Sequence, residues 1–266
     1  MSDSRTGLAL QRVLVAIEPP NLSTQPLAAA RELAQSLQLE LAGLFVEDLN
    51  LLRLAALPIT REVGAASGMV RAIEVSDVER ALRAQAEQMR GALSSFAAEM
   101  DLPWSFRVER GELLERVLAQ LSETVAVIFA PALRKAQTGK SPRTASATPS
   151  PRRTLAILDP TPAGSRALSV AQRFSLAPGA TLAVASVRTE KTGLAAVQET
   201  ARSSLPAAGT HTRVMRLTDT SVDALVDAVR ITACDILVLG SDVFPRQQPE
   251  FRALLERVRC LVVLVG

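Results

Sequence analysis

The sequence predicts an α/β protein made of two tandem doubly wound parallel-sheet domains. Three observations predict it. Arg12-Val-Leu-Val-Ala-Ile-Glu-Pro19 returns as Arg153-Thr-Leu-Ala-Ile-Leu-Asp-Pro160. At the same spacing, with no gap, Leu27, Ala30, Leu33, Leu41 and Val46 meet Leu168, Ala171, Phe174, Leu182 and Val187. Within each copy, short apolar runs without polar alternation, as in strands buried on both faces, alternate with segments of helical periodicity. A repeat unit of this length is too long for a solenoid module and implies two domains of one fold.

In the first copy the strands fall at Val13 to Ile17, Leu41 to Val46, Phe106 to Val108 and Val125 to Phe129. Helices lie between them. Ser23 to Leu37 places Leu27, Ala30, Leu33, Ala34 and Leu37 on one face, and Asp77 to Met100 does so with Val78, Leu82, Met89, Leu93 and Phe96. Leu113, Leu114, Val117, Leu118 and Leu121 lead into the fourth strand. The second copy repeats the order with Leu155 to Leu158, Ser165 to Phe174, Thr181 to Val187, Val214 to Leu217, Val222 to Arg230 and Ile236 to Gly240. Strand-helix-strand crossovers of this kind are right-handed, which gives a doubly wound sheet.

The domains are expected at 1–135 and 154–266, joined by a flexible basic linker at 136–153. Residues 1–135 carry 14 basic and 17 acidic groups, 136–153 carry 4 and 0, and 154–266 carry 12 and 10. The net charge of +3 therefore comes from the linker, which has no large apolar residue with which to order itself. It could also act as a basic tether or be phosphorylated at Ser141-Pro142 or Ser150-Pro151. Gly139-Lys140-Ser141 lacks the glycine that a phosphate loop needs five positions earlier, where Arg134 stands.

Composition excludes several function classes. Aromatic residues are 3% of the chain, with one Trp and no Tyr, too few for nucleic-acid stacking platforms, so no nucleic-acid partner is expected. Met1 to Gln11 has neither the basic nor the apolar region of a leader, and no apolar run is long enough to span a membrane, so a cytoplasmic protein is expected. His211, the single histidine, has no Cys or acid at ligand spacing; no metal site and no catalytic residue is expected. Cys234 and Cys260 precede the fourth and fifth strands of the second copy. They read as reduced packing thiols, with a redox pair as the alternative.

Arg12-Val-Leu-Val-Ala-Ile-Glu18, the small-residue helix after it, Asp235-Ile-Leu-Val-Leu-Gly-Ser241 and Arg259-Cys-Leu-Val-Val-Leu-Val265, in that order, resemble the universal stress protein family in tandem form. The resemblance implies five-stranded sheets of order 3-2-1-4-5 and pairing of domains through the last strand. It also implies a nucleotide site, since one branch holds ATP at the carboxyl ends of the strands. That branch uses an acid after the first strand and a loop G-x2-G-x9-G-[S/T] after the fourth, whose bare amides wrap the phosphates. Carried over to this chain, the candidate nucleotide-binding residues are Glu18, Asp159, Gly240 and Ser241.

The loop itself departs from that pattern. Val243 and Arg246 stand at the glycine positions, Asp242 adds negative charge, Pro245 removes a donor, and no later Gly-Ser or Gly-Thr pair follows before Cys260. In the first copy, Phe129-Ala-Pro-Ala-Leu-Arg-Lys135 has no glycine. The acids Glu18 and Asp159 also read as simple caps of the following turn or helix. A receiver domain would need clustered aspartates and a lysine after the last strand, which are not visible.

Two differences between the copies complete the reading. Fifty-eight residues separate Val46 from Ser105, against 24 between Val187 and Thr212, so the first copy carries an insertion at 47–75. It holds Leu49, Leu51, Leu52, Leu54 and Leu57, then Pro58, Gly64 and Gly68, and reads as a short apolar helix followed by a mobile stretch. It serves either as extra packing or as a lid or docking surface for a protein partner. The first copy also has no fifth strand of its own, which leaves a bare edge to be covered by the other half or by a second protomer. An intramolecular pseudo-dimer or a homodimer is expected, built on the helix Glu250 to Val258 and the final strand. Functionally, the chain is expected to be a non-enzymatic regulatory or stress-response protein without ATP. The alternative is an adenine-nucleotide sensor with altered loops and at most slow hydrolysis.

Overall fold

The computed structural model describes residues 12–17, 24–57, 60–63, 68, 70–121, 124–130, 152–187, 211–244 and 248–266. Glu18, Pro245, Arg246 and the expected linker up to residue 151 lie outside the described residues. The first half runs β1 (Arg12–Ile17), α1 (Thr24–Leu37), β2 (Glu40–Asp48), α2 (Leu49–Ala55), β3 (Arg61–Val63), β4 (Val70–Ala72), α3 (Val75–Ala98), β5 (Trp104–Gly111), α4 (Leu113–Leu118) and β6 (Thr124–Phe129). The second runs β7 (Arg153–Leu158), α5 (Pro162–Phe174), β8 (Thr181–Val187), β9 (His211–Leu217), α6 (Val222–Thr232), β10 (Ile236–Gly240), α7 (Gln248–Arg257) and β11 (Leu261–Val265).

One nine-stranded sheet carries both halves, in the order β5-β2-β1-β6-β11-β10-β7-β8-β9. Every pairing is parallel except β11 with β6. Counted within the second half alone, the strands lie in the order 3-2-1-4-5. The first half shows 3-2-1-4 and then borrows: β11 lies parallel to its own β10 and antiparallel to β6, with Val263 paired to both Val238 and Ile128. The bare edge expected at β6 is therefore covered by the other half of the same chain. All five residues of β11 are buried, as a strand flanked on both edges and covered on both faces must be.

Alternation along the strands sends side chains to two cores. Val13 and Val15 face one layer with Leu27 and Leu33 of α1, Leu93 of α3 and Phe174 of α5. Leu14 and Ala16 face the other, with Val117 of α4, Leu225 of α6 and Leu254 of α7. Each core is continuous across the halves, so neither half buries its apolar surface alone. The Phe129 and Phe251 rings meet edge to face, 5.4 Å apart and inclined by 79°, the geometry that aromatic pairs prefer. Arg152, assigned to the linker by its sequence, is placed by an ion pair with Glu32 of α1 and accepts a hydrogen bond from Thr181 N–H at 2.9 Å. Strand β7 begins at Arg153, also assigned to the linker.

Among the described residues of the insertion, the expected short apolar helix forms as α2. Asp48 caps α2 by accepting from Asn50 N–H at 2.8 Å. Leu52 and Ala55 turn inward, whereas Leu51, Leu54 and Leu57 are 41%, 53% and 48% exposed. Beyond α2, β3 and β4 form a separate antiparallel pair, while Pro58 and Gly64 of the stretch expected to be mobile lie outside the described residues. The three-residue runs of β3 and β4 lack the length that would have marked them as strands.

Candidate functional site

Doubly wound sheets offer ligands a crevice at the carboxyl ends of their strands, where the crossover direction reverses. This chain has two such points, and they differ.

In the second half the point lies between β7 and β10. Asp159, immediately after β7, is buried, and its carboxylate accepts from Thr161 N–H at 3.2 Å and from Thr161 Oγ1 at 2.5 Å. Thr161 in turn caps α5 by accepting from Gly164 N–H at 3.0 Å. A Cβ on Gly164 would stand 1.9 Å from Asp159 Oδ1, and one on Gly240 would stand 2.8 Å from the backbone of Ala163 and Gly164. Three of the sequence-derived candidates thus come together around one helix start: Asp159 beneath it, Gly240 against it, and Ser241 opening a single 3-10 turn, Ser241–Val243. Both glycines are occupied by close packing. Gly164 makes room for a carboxylate, and Gly240 makes room for the helix backbone. Asp242 is exposed in the same turn, and Val243 is buried. The fourth candidate, Glu18, lies outside the described residues.

In the first half the described residues leave the corresponding point unfilled, the segments that follow β1 and β6 lying outside them. A cavity of about 220 Å³ lies over the ends of β1, β2, β5 and β6. Its floor includes Ala16, Phe129 and Leu114, and its polar rim is Asp48, Glu112, Arg252 and Glu256. Arg252 and Glu256 come from α7 of the second half, so the cavity exists only because the halves are paired. Arg252 is ion-paired with Glu112 across that boundary. At Gly111, with φ of +150°, an added Cβ would meet Arg116 Nε at 2.5 Å. Glycine there lets the guanidinium lie against the strand end, 3.9 Å from Glu109. Nearby, Arg110 donates to the buried Glu47 at 2.7 Å, and this ion pair raises the Arg110 pKa.

Among the described residues of the rim, three carboxylates stand against one guanidinium, a poor setting for polyphosphate and a better one for neutral or cationic groups. Sequence reasoning missed this cavity because its wall is assembled from both halves. Asp48 and Glu112 could have been marked as acids at strand ends, but Arg252 and Glu256 gain meaning only once β11 joins β6. Among the described residues, no group of three or more His, Cys, Asp or Glu could hold a metal ion. No helix among them is long and apolar enough to cross a membrane. His211 opens the edge strand β9, in register with Thr181.

No family model matches the chain, and no curated protein matches it. Among solved structures, the chain is similar to a universal stress protein from Archaeoglobus fulgidus DSM 4304, with 13% identity, 97% of each chain covered and a TM-score of 0.49. It is also similar to a putative universal stress protein from Pseudomonas aeruginosa UCBPP-PA14, with 14% identity, 97% of this chain and 94% of that one covered, and a TM-score of 0.45. The cytoplasmic domain of a prokaryotic cation chloride cotransporter is similar at 10% identity, covering 96% and 94%, with a TM-score of 0.44. By its own strand order, the fold is universal-stress-protein-like in tandem form.

Proposed function

We propose that this protein is a non-enzymatic regulatory protein of the tandem stress type, acting through a protein partner or through dimerisation and not through ATP. The observation that carries the reading is the state of the two crossover points. In the second half, Gly240 and Gly164 are closely packed against the start of α5 and against Asp159, and Val243, at a glycine position of the phosphate-loop pattern, is buried, which supports a site without bare amides for phosphate. In the first half, the cavity of about 220 Å³ is smaller than the roughly 300–1,000 Å³ common for drug-sized ligands, and the described residues of its rim are anionic on balance. The exposed Leu51, Leu54 and Leu57 of α2 supply an apolar surface for a partner within the 47–75 insertion.

Mass spectrometry of ligands released from the purified protein, with a thermal-shift screen of adenine nucleotides, tests the reading. The expected result is no ATP recovered and no rise in melting temperature. Clear recovery of ATP overturns it.

A second reading, an adenine-nucleotide sensor with at most slow hydrolysis, rests on Asp159, a buried acid directly after β7 where the resemblance places one. If nucleotide does bind, Asp48→Ala and Asp159→Ala separate the sites. Loss of the thermal shift only with Asp48→Ala places it in the first half, and loss only with Asp159→Ala places it in the second.

A further inference from the structure

The sequence leaves Cys234 and Cys260 as packing thiols or a redox pair, and the fold gives them a more specific relationship. Helix α6 ends at Ala233 in the left-handed conformation, with φ of 46°, which turns the chain sharply into β10. Asp235 N–H then donates to Arg153 O at 2.8 Å, while Leu261 N–H donates to Asp235 O at 3.0 Å. These bonds place the residues that precede β10 and β11 side by side at the amino edge of the sheet. Both cysteines are buried, at 8% and 5% exposure, and both belong to the core beneath α6 and α7. Both are free thiols.

The two thiols influence one another: the neighbouring Cys260 lowers the Cys234 pKa from its ordinary value, while Cys234 and burial push Cys260 up. The pair is thus asymmetric, with Cys234 the thiol favoured toward deprotonation.

We propose that Cys234 and Cys260 form a redox-responsive dithiol that closes into an intrachain disulfide when the protein meets hydrogen peroxide. The Cys234 thiolate attacks one peroxide oxygen, forming an S–O bond while the O–O bond breaks and hydroxide leaves. Cys260 gives up its proton and attacks the sulfenic sulfur of Cys234. The S–S bond forms and the second oxygen departs as hydroxide, protonated to water. Two thiols lose two electrons, and one peroxide becomes two waters. The new bond ties the start of β11 to the start of β10 and encloses α7, which walls the first-half cavity. Oxidation thereby fixes the strand that joins the halves. This inference goes beyond the proposed function and does not depend on whether nucleotide binds.

The test uses the full chain, reduced, desalted and exposed to hydrogen peroxide, then denatured and tagged with a maleimide before intact-mass analysis. The expected result is loss of both tags with a mass lower by two hydrogens, reversed by dithiothreitol, and no crosslinked dimer on non-reducing electrophoresis. Two tags remaining, oxygen added without loss of hydrogen, or a disulfide between chains each overturns the proposal. Single variants test the order of attack. Cys260→Ala is expected to leave a sulfenic acid on Cys234 that dimedone traps. If Cys260 in the Cys234→Ala protein is trapped as fast, the assigned roles are wrong.

Discussion

Val263 of β11 lies opposite Ile128 of β6 in the antiparallel register that joins the halves, and both side chains are fully buried in one core. Truncating a buried isoleucine removes its transfer free energy and leaves a cavity. Ile128→Ala is therefore expected to cost about 2–5 kcal/mol. Because the sheet and both cores are continuous across this seam, urea denaturation followed by probes in each half should show one shared transition at lower denaturant. Separate transitions would mean that the halves fold independently.

Gly164 and Gly240 are occupied positions in the second half. Gly240→Ala forces a methyl group against the Ala163–Gly164 backbone, at an expected cost of about 1–3 kcal/mol, typical of overpacking. Gly164→Ala is expected to be the more severe, since its Cβ would stand 1.9 Å from Asp159 Oδ1 and 2.6 Å from Asp159 O. Adding Asp159→Ala should recover only part of the loss, because the backbone contact remains. Denaturation midpoints of the two single variants and the double variant measure this.

Arg252 and Glu112 form an ion pair between the halves, at the rim of the cavity. Their side chains are 50% and 40% exposed, so water screens the interaction. A double-mutant cycle with Arg252→Ala and Glu112→Ala should give a coupling of about 0.2–1 kcal/mol, shrinking as salt is added. A coupling unaffected by salt would contradict the exposed geometry.

Asp219 accepts from Ser221 N–H at 2.9 Å just before α6, and hydrogen bonds from Ser221 hold its pKa below the ordinary value. A depressed native pKa stabilises the fold above the unfolded pKa, and that contribution is lost as pH falls through the native one. Asp219→Ala should therefore lower the melting temperature slightly at neutral pH, and the difference from wild type should shrink as pH falls below about 4, the ordinary carboxylate value, and vanish below the depressed native pKa. A difference that persists in acid would assign the effect to something other than this carboxylate.

Strands buried on both faces were legible because continuous apolar runs such as Leu237-Val-Leu239 carry the signal locally. Helix positions were legible for the same reason, although α3 begins at Val75, ahead of the expected Asp77. The hairpin of Arg61–Val63 and Val70–Ala72 was not legible, since it is too short to show a period. The cavity was hidden for a different reason. Asp48 and Arg252 are far apart in the chain and are brought to one rim by the pairing of β11 with β6. Asp159 shows both sides at once: its place after β7 was readable, and its engagement with Thr161 needed coordinates.

One strand serving two sheets sets an order of events during synthesis. Chains emerge amino end first, and domains generally begin to fold as they emerge. Strand β6 has left the ribosome long before Leu261–Val265 exists, so its outer row of amides and carbonyls waits uncovered while the whole second half is translated. An unpaired edge of that kind recruits neighbouring nascent chains, which makes slow translation or premature release of the polypeptide the condition under which this protein is most exposed to aggregation.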